Sequence, residues 1–269
     1  MTDFTAHESN RLFTATWERW AQRSRAGEIS RLPGLTAAWM NVAWPICNLT
    51  FLSEPVRDEA DLDARSRAAL AHAEGRDRGW IFFVCRELLP EGLRDSAGEI
   101  LERHGLRPVV PITGMAADRL APPRRPLPSL DFHPVEDQDT RRAFGRINAV
   151  AYGMPVEWGD ESLDVEPLWG AGTFGFVGFL DGEPVATAKT IVQDGTLYMA
   201  LVATLPEHQK KGYGEAVMRH SLARAGAATG LQRTVLHATP AGFPLYQEMG
   251  YRPVAGFQGF AAFPGEAAG

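Results

Sequence analysis

The sequence has only two cysteines, no long apolar run and no excess of positive charge. Cys47 and Cys85 lie in apolar, strand-like segments, which indicates buried thiols in a reducing compartment. No Cys/His cluster has the spacing of zinc ligands, so we expect no metal site. The first residues lack the basic and apolar regions of a signal peptide, and no window reaches the ~18 apolar residues of a membrane span. We therefore expect a cytoplasmic protein with no membrane partner.

The charge balance excludes one further class of partner. The net charge is −6, whereas a nucleic-acid binder usually carries a basic face, so we expect no nucleic-acid partner. Apolar residues make up 45% of the chain and charged residues 22%, which is typical of a soluble globular protein. The length of 269 residues allows one large domain or two ordinary ones. Monomer and homodimer remain equally open.

A proline-rich segment at residues 121–129 divides the chain. It holds four prolines in nine residues, which favours an extended, semi-rigid linker. The sequence therefore predicts an N-terminal domain over residues 1–120 and a C-terminal domain over residues 130–269.

The C-terminal half alternates strands with helices. Asp-Gly pairs at residues 181–182 and 194–195 indicate tight hairpin turns, so three antiparallel strands form a meander. This pattern predicts an α/β fold of the α+β type with a mixed sheet. The predicted strands are 130–135, 174–180, 184–193, 196–204, 234–238 and one or two within 252–263; the predicted helices are 139–152, one ending near residue 229, and 242–249.

The N-terminal half has a less regular pattern. Aromatic residues at helical spacing, Phe13, Trp17 and Trp20, predict a first helix over residues 4–27. The other predicted helices are 58–74 and 93–104, and the predicted strands are a pair within 35–53, then 80–88 and 107–113.

The most informative segment joins a predicted strand to a predicted helix. It carries Gln209, Gly212 and Gly214 in the spacing Q-x-x-G-x-G. Exposed N–H groups at a helix N-terminus attract an anion, and glycines let the backbone approach that anion closely. Lys210 and Lys211 add positive charge. The segment therefore predicts a pyrophosphate site.

Two other phosphate motifs do not fit this segment. A Rossmann site needs a third glycine, where Val217 stands, and it follows a parallel strand rather than a meander. A Walker loop needs a glycine, a lysine and a hydroxyl residue in succession, which the sequence lacks.

Residues 202–214 resemble the acetyl-coenzyme A motif of the GCN5-related N-acetyltransferases, the GNAT superfamily. Residues 241–251 are similar to the segment of that family in which a helical tyrosine precedes a glycine and an aromatic residue. The resemblance covers about residues 130–263. It implies a GNAT fold and an enzyme that transfers an acetyl group from acetyl-CoA to a primary amine of a small molecule or peptide, by direct attack in a ternary complex. A non-catalytic acyl-CoA sensor or partner-binding module is the alternative.

The resemblance also implies roles for individual residues. Tyr246 corresponds to the tyrosine that protonates the leaving thiolate. The loop from Gln209 corresponds to the pyrophosphate amides, and the end of the preceding strand to the backbone that pairs with the pantetheine arm. The implied cofactor-binding residues are Val202, Ala203, Thr204, Gln209, Lys210, Lys211, Gly212, Tyr213, Gly214 and Glu215.

The general base and the acceptor site are less determined. Many relatives carry a glutamate on the strand of residues 196–204, where this sequence has no acid. His237 is our candidate for the base, with Glu157 and Asp160 as alternatives. For the acceptor we expect Tyr152, Glu157 and Trp158, because aromatic rings with one carboxylate suit an amine.

The N-terminal half shows a fainter resemblance to the same family. Residues 80–88 occupy the place of the family's fourth strand, and residues 100–106 resemble its late helix. The segment after residue 86 has one glycine and no Q-x-x-G-x-G. We expect a degenerate GNAT-like domain that has lost its pyrophosphate loop, so that the chain holds two GNAT-like domains in tandem.

Overall fold

The computed structural model describes residues 4–262 of the chain. It divides into two compact units. The first unit comprises the residues up to Gly114, the loop Ala238–Ala241 and the residues from Pro253 onward; the second comprises Met115–His237 and Gly242–Arg252.

The first unit contains most of the N-terminal elements. In chain order they are α1 (Ala6–Arg23), β1 (Glu28–Leu32), β2 (Leu35–Trp39), β3 (Asn48–Leu52), α2 (Glu59–Ala73), β4 (Ile81–Cys85), α3 (Ala97–Glu102) and β5 (Leu106–Ala117), whose last three residues belong to the second unit.

The second unit contains the elements that follow. They are β6 (Asp131–Pro134), α4 (Gln138–Ala151), α5 (Val156–Leu163), β7 (Thr173–Leu180), β8 (Glu183–Gln193), β9 (Thr196–Thr204), α6 (Tyr213–Thr229), β10 (Thr234–Ala238), whose last residue belongs to the first unit, and α7 (Phe243–Glu248). The last strand, β11 (Arg252–Ala262), belongs to the first unit from Pro253.

Both units repeat one topology. In the first, β1, β2 and β3 form an antiparallel meander, and β3 then pairs in parallel with β4 after the crossover helix α2. In the second, β7, β8 and β9 form the meander, and β9 pairs in parallel with β10 after the helix α6. The parallel step needs a helical crossover, whereas the antiparallel steps need only tight turns. The predicted α/β fold with mixed strand directions and two tandem halves is confirmed.

The C-terminal strand completes the core of the first unit. Residues 257–260 of β11 pair with residues 82–85 of β4. Phe257 lies 5.7 Å from Phe13 of α1 between ring centroids, and Phe13 also contacts Phe51 at 4.9 Å. Aromatic pairs at these distances add to the free energy of burial. The strand that sequence assigned to the C-terminal domain therefore packs with the N-terminal one.

The proline-rich segment also differs from a free linker. The Ala121 N–H donates to the carbonyl of Met249 at 2.8 Å, and Arg124 pairs with Glu248 at 3.2 Å. The segment is thus held on α7 of the second unit, and the packing boundary lies earlier, at Gly114. Proline restricts the backbone to an extended conformation whether or not the segment packs on the protein. The composition therefore predicts the conformation of this segment but not its contacts.

The first unit has no glycine loop between β3 and α2. This is the position that corresponds to the loop before α6, so the counterpart of the family's fourth strand is β3 rather than residues 80–88, which form its parallel partner β4. The connection reads Ser-Glu-Pro-Val-Arg-Asp at residues 53–58. The prediction of the strand itself was correct, but its place in the topology was wrong, because the pairing order of strands depends on contacts between distant residues.

Arg65 of α2 fills the space beside this connection. Its guanidinium donates to the carbonyls of Gly34, Glu54 and Pro55 and to the carboxylate of Asp61. Burial alone would raise the pKa of Asp61, but hydrogen bonds from the Arg57 N–H and from Arg65 outweigh it and hold that pKa well below its usual range. At this position the backbone presents carbonyl groups to the cation Arg65, and not N–H groups to an anion. This arrangement is consistent with a degenerate GNAT-like domain that lacks a pyrophosphate loop.

The helix α5 was not predicted. Its eight residues follow Pro155 and contain Gly159, which weakens the helical pattern. Gly159 packs so closely on Gly145 of α4 that neither position has room for a Cβ. A helix–helix contact therefore stabilises a segment that the sequence presents as a loop. Within residues 4–262, no helix is long and apolar enough to cross a membrane.

Candidate active site

Strand β9 departs from regular pairing on both sides. Toward β8 its register shifts between Thr187 and Lys189, and Leu201 adopts a φ of +50°, which marks a bulge. Toward β10 it pairs only through Leu197, Tyr198 and Met199. Backbone groups of β9 beyond Met199 are therefore open on that side and can pair with an extended ligand.

The side chain of Tyr152 reaches this open segment. Tyr152 ends α4, and its hydroxyl donates to the carbonyl of Val202 at 3.4 Å. The residue is 42% exposed, yet its hydroxyl lies among protein atoms and desolvation raises its pKa. Of the three residues predicted for the acceptor site, Tyr152 is the one that the structure brings to β9.

The glycine loop is anchored to the end of β9. The Gln209 side-chain amide donates to the carbonyl of Thr204 at 3.2 Å. Lys210 and Gly212 both have positive φ, +62° and +90°, which turns the chain into α6. Gly212 is the N-cap, and no side chain caps the helix there. The first N–H groups of α6 thus remain available to an anion.

A side chain would be crowded at Gly212, the N-cap of α6, and at Gly214 in its first turn. A Cβ on Gly212 would lie 3.2 Å from Cδ of Pro128 and 3.8 Å from Nη2 of Arg125. A Cβ on Gly214 would lie 3.1 Å from Oγ1 of Thr204. The bare backbone at these positions is where the sequence predicts a pyrophosphate site.

Three exposed cations surround this surface. Lys210 and Lys211 were predicted, whereas Arg125 was not, because it belongs to the proline-rich segment and reaches the loop only through folding. Glu215, also predicted, pairs through its side chain with Arg219 at 2.8 Å. It can therefore contact an anion only through its backbone N–H.

Tyr246 lies in the short helix α7. Its ring covers Gly242, where a Cβ would lie 2.8 Å from Cε2 of the tyrosine, and it contacts Tyr251 at 6.0 Å between centroids. Desolvation first, and then the nearby Tyr152 and Tyr251 hydroxyls, raise the pKa of Tyr246 far above its usual value. The phenol thus carries its proton at every working pH.

His237 lies near the end of β10, just beyond its last paired residue. Its Nδ1 is 2.8 Å from the hydroxyl of Tyr198, and desolvation lowers its pKa to about 3. The ring is therefore neutral near pH 7 and a weak proton acceptor. Sequence gave no sign of this partner, since Tyr198 and His237 meet across two neighbouring strands.

The desolvated, neutral ring of His237 predicts a pH-dependent stability. The unfolded chain binds a proton at this histidine below ~pH 6.5, whereas the folded chain does so only near its lowered pKa of about 3. The contribution of His237 to the free energy of unfolding is therefore fully present above ~pH 6.5 and decreases as the pH falls below that value.

Urea unfolding of wild type and His237→Gln at several pH values tests this prediction. We expect the loss of unfolding free energy between about pH 7 and about pH 5 to be smaller in the variant. Equal losses in the two proteins would contradict the assignment.

The remaining candidates for the acceptor site and the general base have no hydrogen bond, ion pair or ring contact with β9 or α7 among the described residues. Glu157 is exposed and Trp158 half-buried on α5, and within residues 4–262 neither side chain has a hydrogen bond or ring contact with β9 or α7. Asp160 is committed to Arg146, with an Nη2–Oδ2 distance of 3.1 Å. These three residues stay candidates on sequence grounds alone.

The cysteines are buried, as predicted, and both belong to the first unit. Burial raises the pKa of Cys85 to about 12, so its thiolate is scarce near neutral pH. Among residues 4–262, no cluster of His, Cys, Asp and Glu side chains has a metal-binding arrangement.

Comparison with known proteins agrees with this geometry. Residues 142–251 match the model of the acetyltransferase (GNAT) family. A GCN5-related N-acetyltransferase from Kribbella flavida has 22% identity, 96% coverage of each chain and a TM-score of 0.69. A GCN5-related N-acetyltransferase-like protein from Streptococcus suis has 16% identity, covers 94% of this chain and 98% of its own, and has a TM-score of 0.53.

A third similar structure has two domains of this kind. A tandem GNAT protein from the clavulanic acid biosynthesis pathway has 12% identity, 98% coverage of each chain and a TM-score of 0.55. At these low identities, the structural similarity shows a shared fold alone. No curated protein matches the sequence. The open strand, the uncapped glycine loop and the segment that matches the acetyltransferase (GNAT) family model, residues 142–251, lie in the same unit, apart from residues 238–241.

Proposed function

We propose that the second unit is an N-acetyltransferase that uses acetyl-CoA and a primary amine in one ternary complex. The observation that carries the proposal is the open edge of β9 leading directly into an uncapped helix N-terminus. This arrangement suits a ligand with an extended amide arm and a pyrophosphate, which are the two parts of coenzyme A that bind backbone. Tyr246 of α7 lies in the same unit.

Donor binding divides between two regions of the backbone. The pantetheine arm pairs with Val202, Ala203 and Thr204, displacing the Tyr152 hydroxyl from the Val202 carbonyl. The pyrophosphate contacts the first N–H groups of α6 and the cations Lys210, Lys211 and Arg125.

Acetyl transfer then needs a hydrogen-bond donor and a proton donor. The amine nitrogen bonds to the thioester carbonyl carbon while the C–S bond breaks. A backbone N–H of β9 at the bulge stabilises the negative carbonyl oxygen. Tyr246 gives its proton to the departing sulfur, and the proton lost by the amine returns to the phenolate through water. Its raised pKa keeps Tyr246 protonated until that step.

We propose that water, rather than His237, removes the proton from the amine. A histidine with a pKa of about 3 binds protons weakly near neutral pH. Beyond that, β9 carries no carboxylate. We therefore expect the rate to rise with pH as the amine itself loses its proton, without an inflection from His237.

Calorimetry and a turnover assay test the proposed function. We expect acetyl-CoA to bind with a micromolar Kd and an amine panel to give coenzyme A release above the background of hydrolysis. Coenzyme A itself serves as the binding control. Absence of heat with millimolar acetyl-CoA would overturn the proposal.

One observation favours a second candidate, a non-catalytic acyl-CoA sensor. The second unit offers a cofactor site but no strong base on β9 or at His237. A sensor binds acetyl-CoA without transferring acetyl to any amine, so tight binding together with background turnover across the panel would select this alternative.

A further inference from the structure

A groove lies at the opposite end of α6 from the glycine loop, with a volume of about 550 Å³. We call it the α6 groove. All of its lining residues belong to the second unit. Its wall follows α6 from Arg219 to Ala227 and is completed by the segment at Arg119 and Leu120, the loop after α6, and the first residues of β9 and β10.

The walls of the α6 groove are mainly apolar. Leu120, Leu197, Leu222 and Leu231 contribute side chains. Alanine or glycine stands at positions 223, 226 and 227 of α6 and at its C-cap, Gly230, and these small residues leave the space that forms the groove. A space of this size accommodates a small organic ligand.

Two arginines line the α6 groove, and one of them, Arg119, gives it a positive charge. Nε of Arg119 donates to the side chain of Gln232 at 2.9 Å, and no carboxylate pairs with Arg119 within residues 4–262. Nε of Arg219 donates to Glu215, while its Nη2 is buried and has no hydrogen-bond partner among the described residues. A buried donor without a partner is costly. Glu215 balances the charge of Arg219 but does not line the groove, so the guanidinium of Arg119 is the uncompensated charge there.

We infer that the α6 groove binds a small carboxylate with an apolar body. Guanidinium groups bind carboxylates in a planar, bidentate geometry, and the leucine side chains bury the apolar part. A sugar or a nucleobase needs many hydrogen-bonding side chains, whereas the uncharged polar side chains here are Gln232 and Thr234. This site is separate from the proposed donor site, because its wall on α6 begins at Arg219, beyond the first turn of the helix that follows the glycine loop.

Calorimetry of the full chain with octanoate tests the inference. We expect octanoate to bind with a millimolar or tighter Kd, whereas octan-1-ol lacks the carboxylate and acetate lacks the apolar body, so both should bind at least tenfold more weakly. Equal binding of acetate would indicate a simple ion site, and equal binding of octan-1-ol a purely apolar one. Either result, or no binding of octanoate, would overturn the inference.

Variants locate the octanoate on the protein. Arg119→Gln should weaken octanoate binding about tenfold, through loss of one charged hydrogen-bond donor. Ala227→Trp should abolish binding by filling the groove. Its matched control is Ala228→Trp on the exposed side of the same helix, which does not line the groove and should bind octanoate as wild type does. Unchanged binding in both Arg119→Gln and Ala227→Trp would overturn the assignment. Acetyl-CoA binding, measured separately, reports on the proposed function alone.

Discussion

Tyr246→Phe should lower kcat about a hundredfold while the Kd for acetyl-CoA changes by less than about twofold. The substitution removes one hydroxyl and keeps the ring that covers Gly242. If that hydroxyl delivers the proton to the sulfur, its loss affects the transition state and not the bound ground state. Steady-state kinetics with the best amine, together with calorimetry, measure the two quantities.

Tyr251→Phe provides a matched control for this experiment. Tyr251 is buried and contacts Tyr246, but its hydroxyl forms a hydrogen bond with that of Thr234 at 2.9 Å. Its removal should reduce the unfolding free energy by ~1 kcal/mol and leave kcat near wild type. If both variants lost activity equally, the effect would come from packing and the acid role of Tyr246 would be refuted.

Gly212→Val should weaken acetyl-CoA binding about a hundredfold, equivalent to ~3 kcal/mol. A β-branched residue is strained at a φ of +90°, and its Cβ meets Pro128 at 3.2 Å. The loop must move to relieve both effects, and the N–H groups of the first turn of α6 move with it. Calorimetric titration with acetyl-CoA and with coenzyme A checks the expected loss.

Gly230→Val controls for the strain itself. Gly230 ends the same helix with a φ of +75°, and a Cβ there meets nothing within 4 Å. It should lower the thermal unfolding temperature in a similar way but preserve acetyl-CoA affinity. Comparable loss of affinity in the two variants would show that helix stability, and not the loop surface, determines binding.

Local sequence signals were sufficient for much of the second unit. β9 and β10 were predicted with the bounds that the structure has, since Asp-Gly turns and glycine loops delimit alternating apolar residues. The loop at Gln209 was recognisable for the same reason, because its glycines, lysines and following helix are contiguous. Features that depend on residues adjacent in the sequence can thus be predicted without a structure.

Features that depend on distant contacts could not be predicted. A leucine carries no signal for a φ of +50°, and the bulge at Leu201 follows from its pairing with β8. Arg125 reaches the loop only because the proline-rich segment folds onto the second unit. Likewise the basicity of His237 depends on burial and on Tyr198, neither of which the local sequence contains.

The position of β11 has a consequence for the order in which the protein can form. During synthesis Phe13 leaves the ribosome long before Phe257, its partner in the core of the first unit. Until then the edge of β4 lacks the strand that covers residues 82–85, and an uncovered edge is prone to wrong pairing. The second unit, whose residues precede most of β11, can complete its own meander first. The half that begins the chain is therefore the last to be completed.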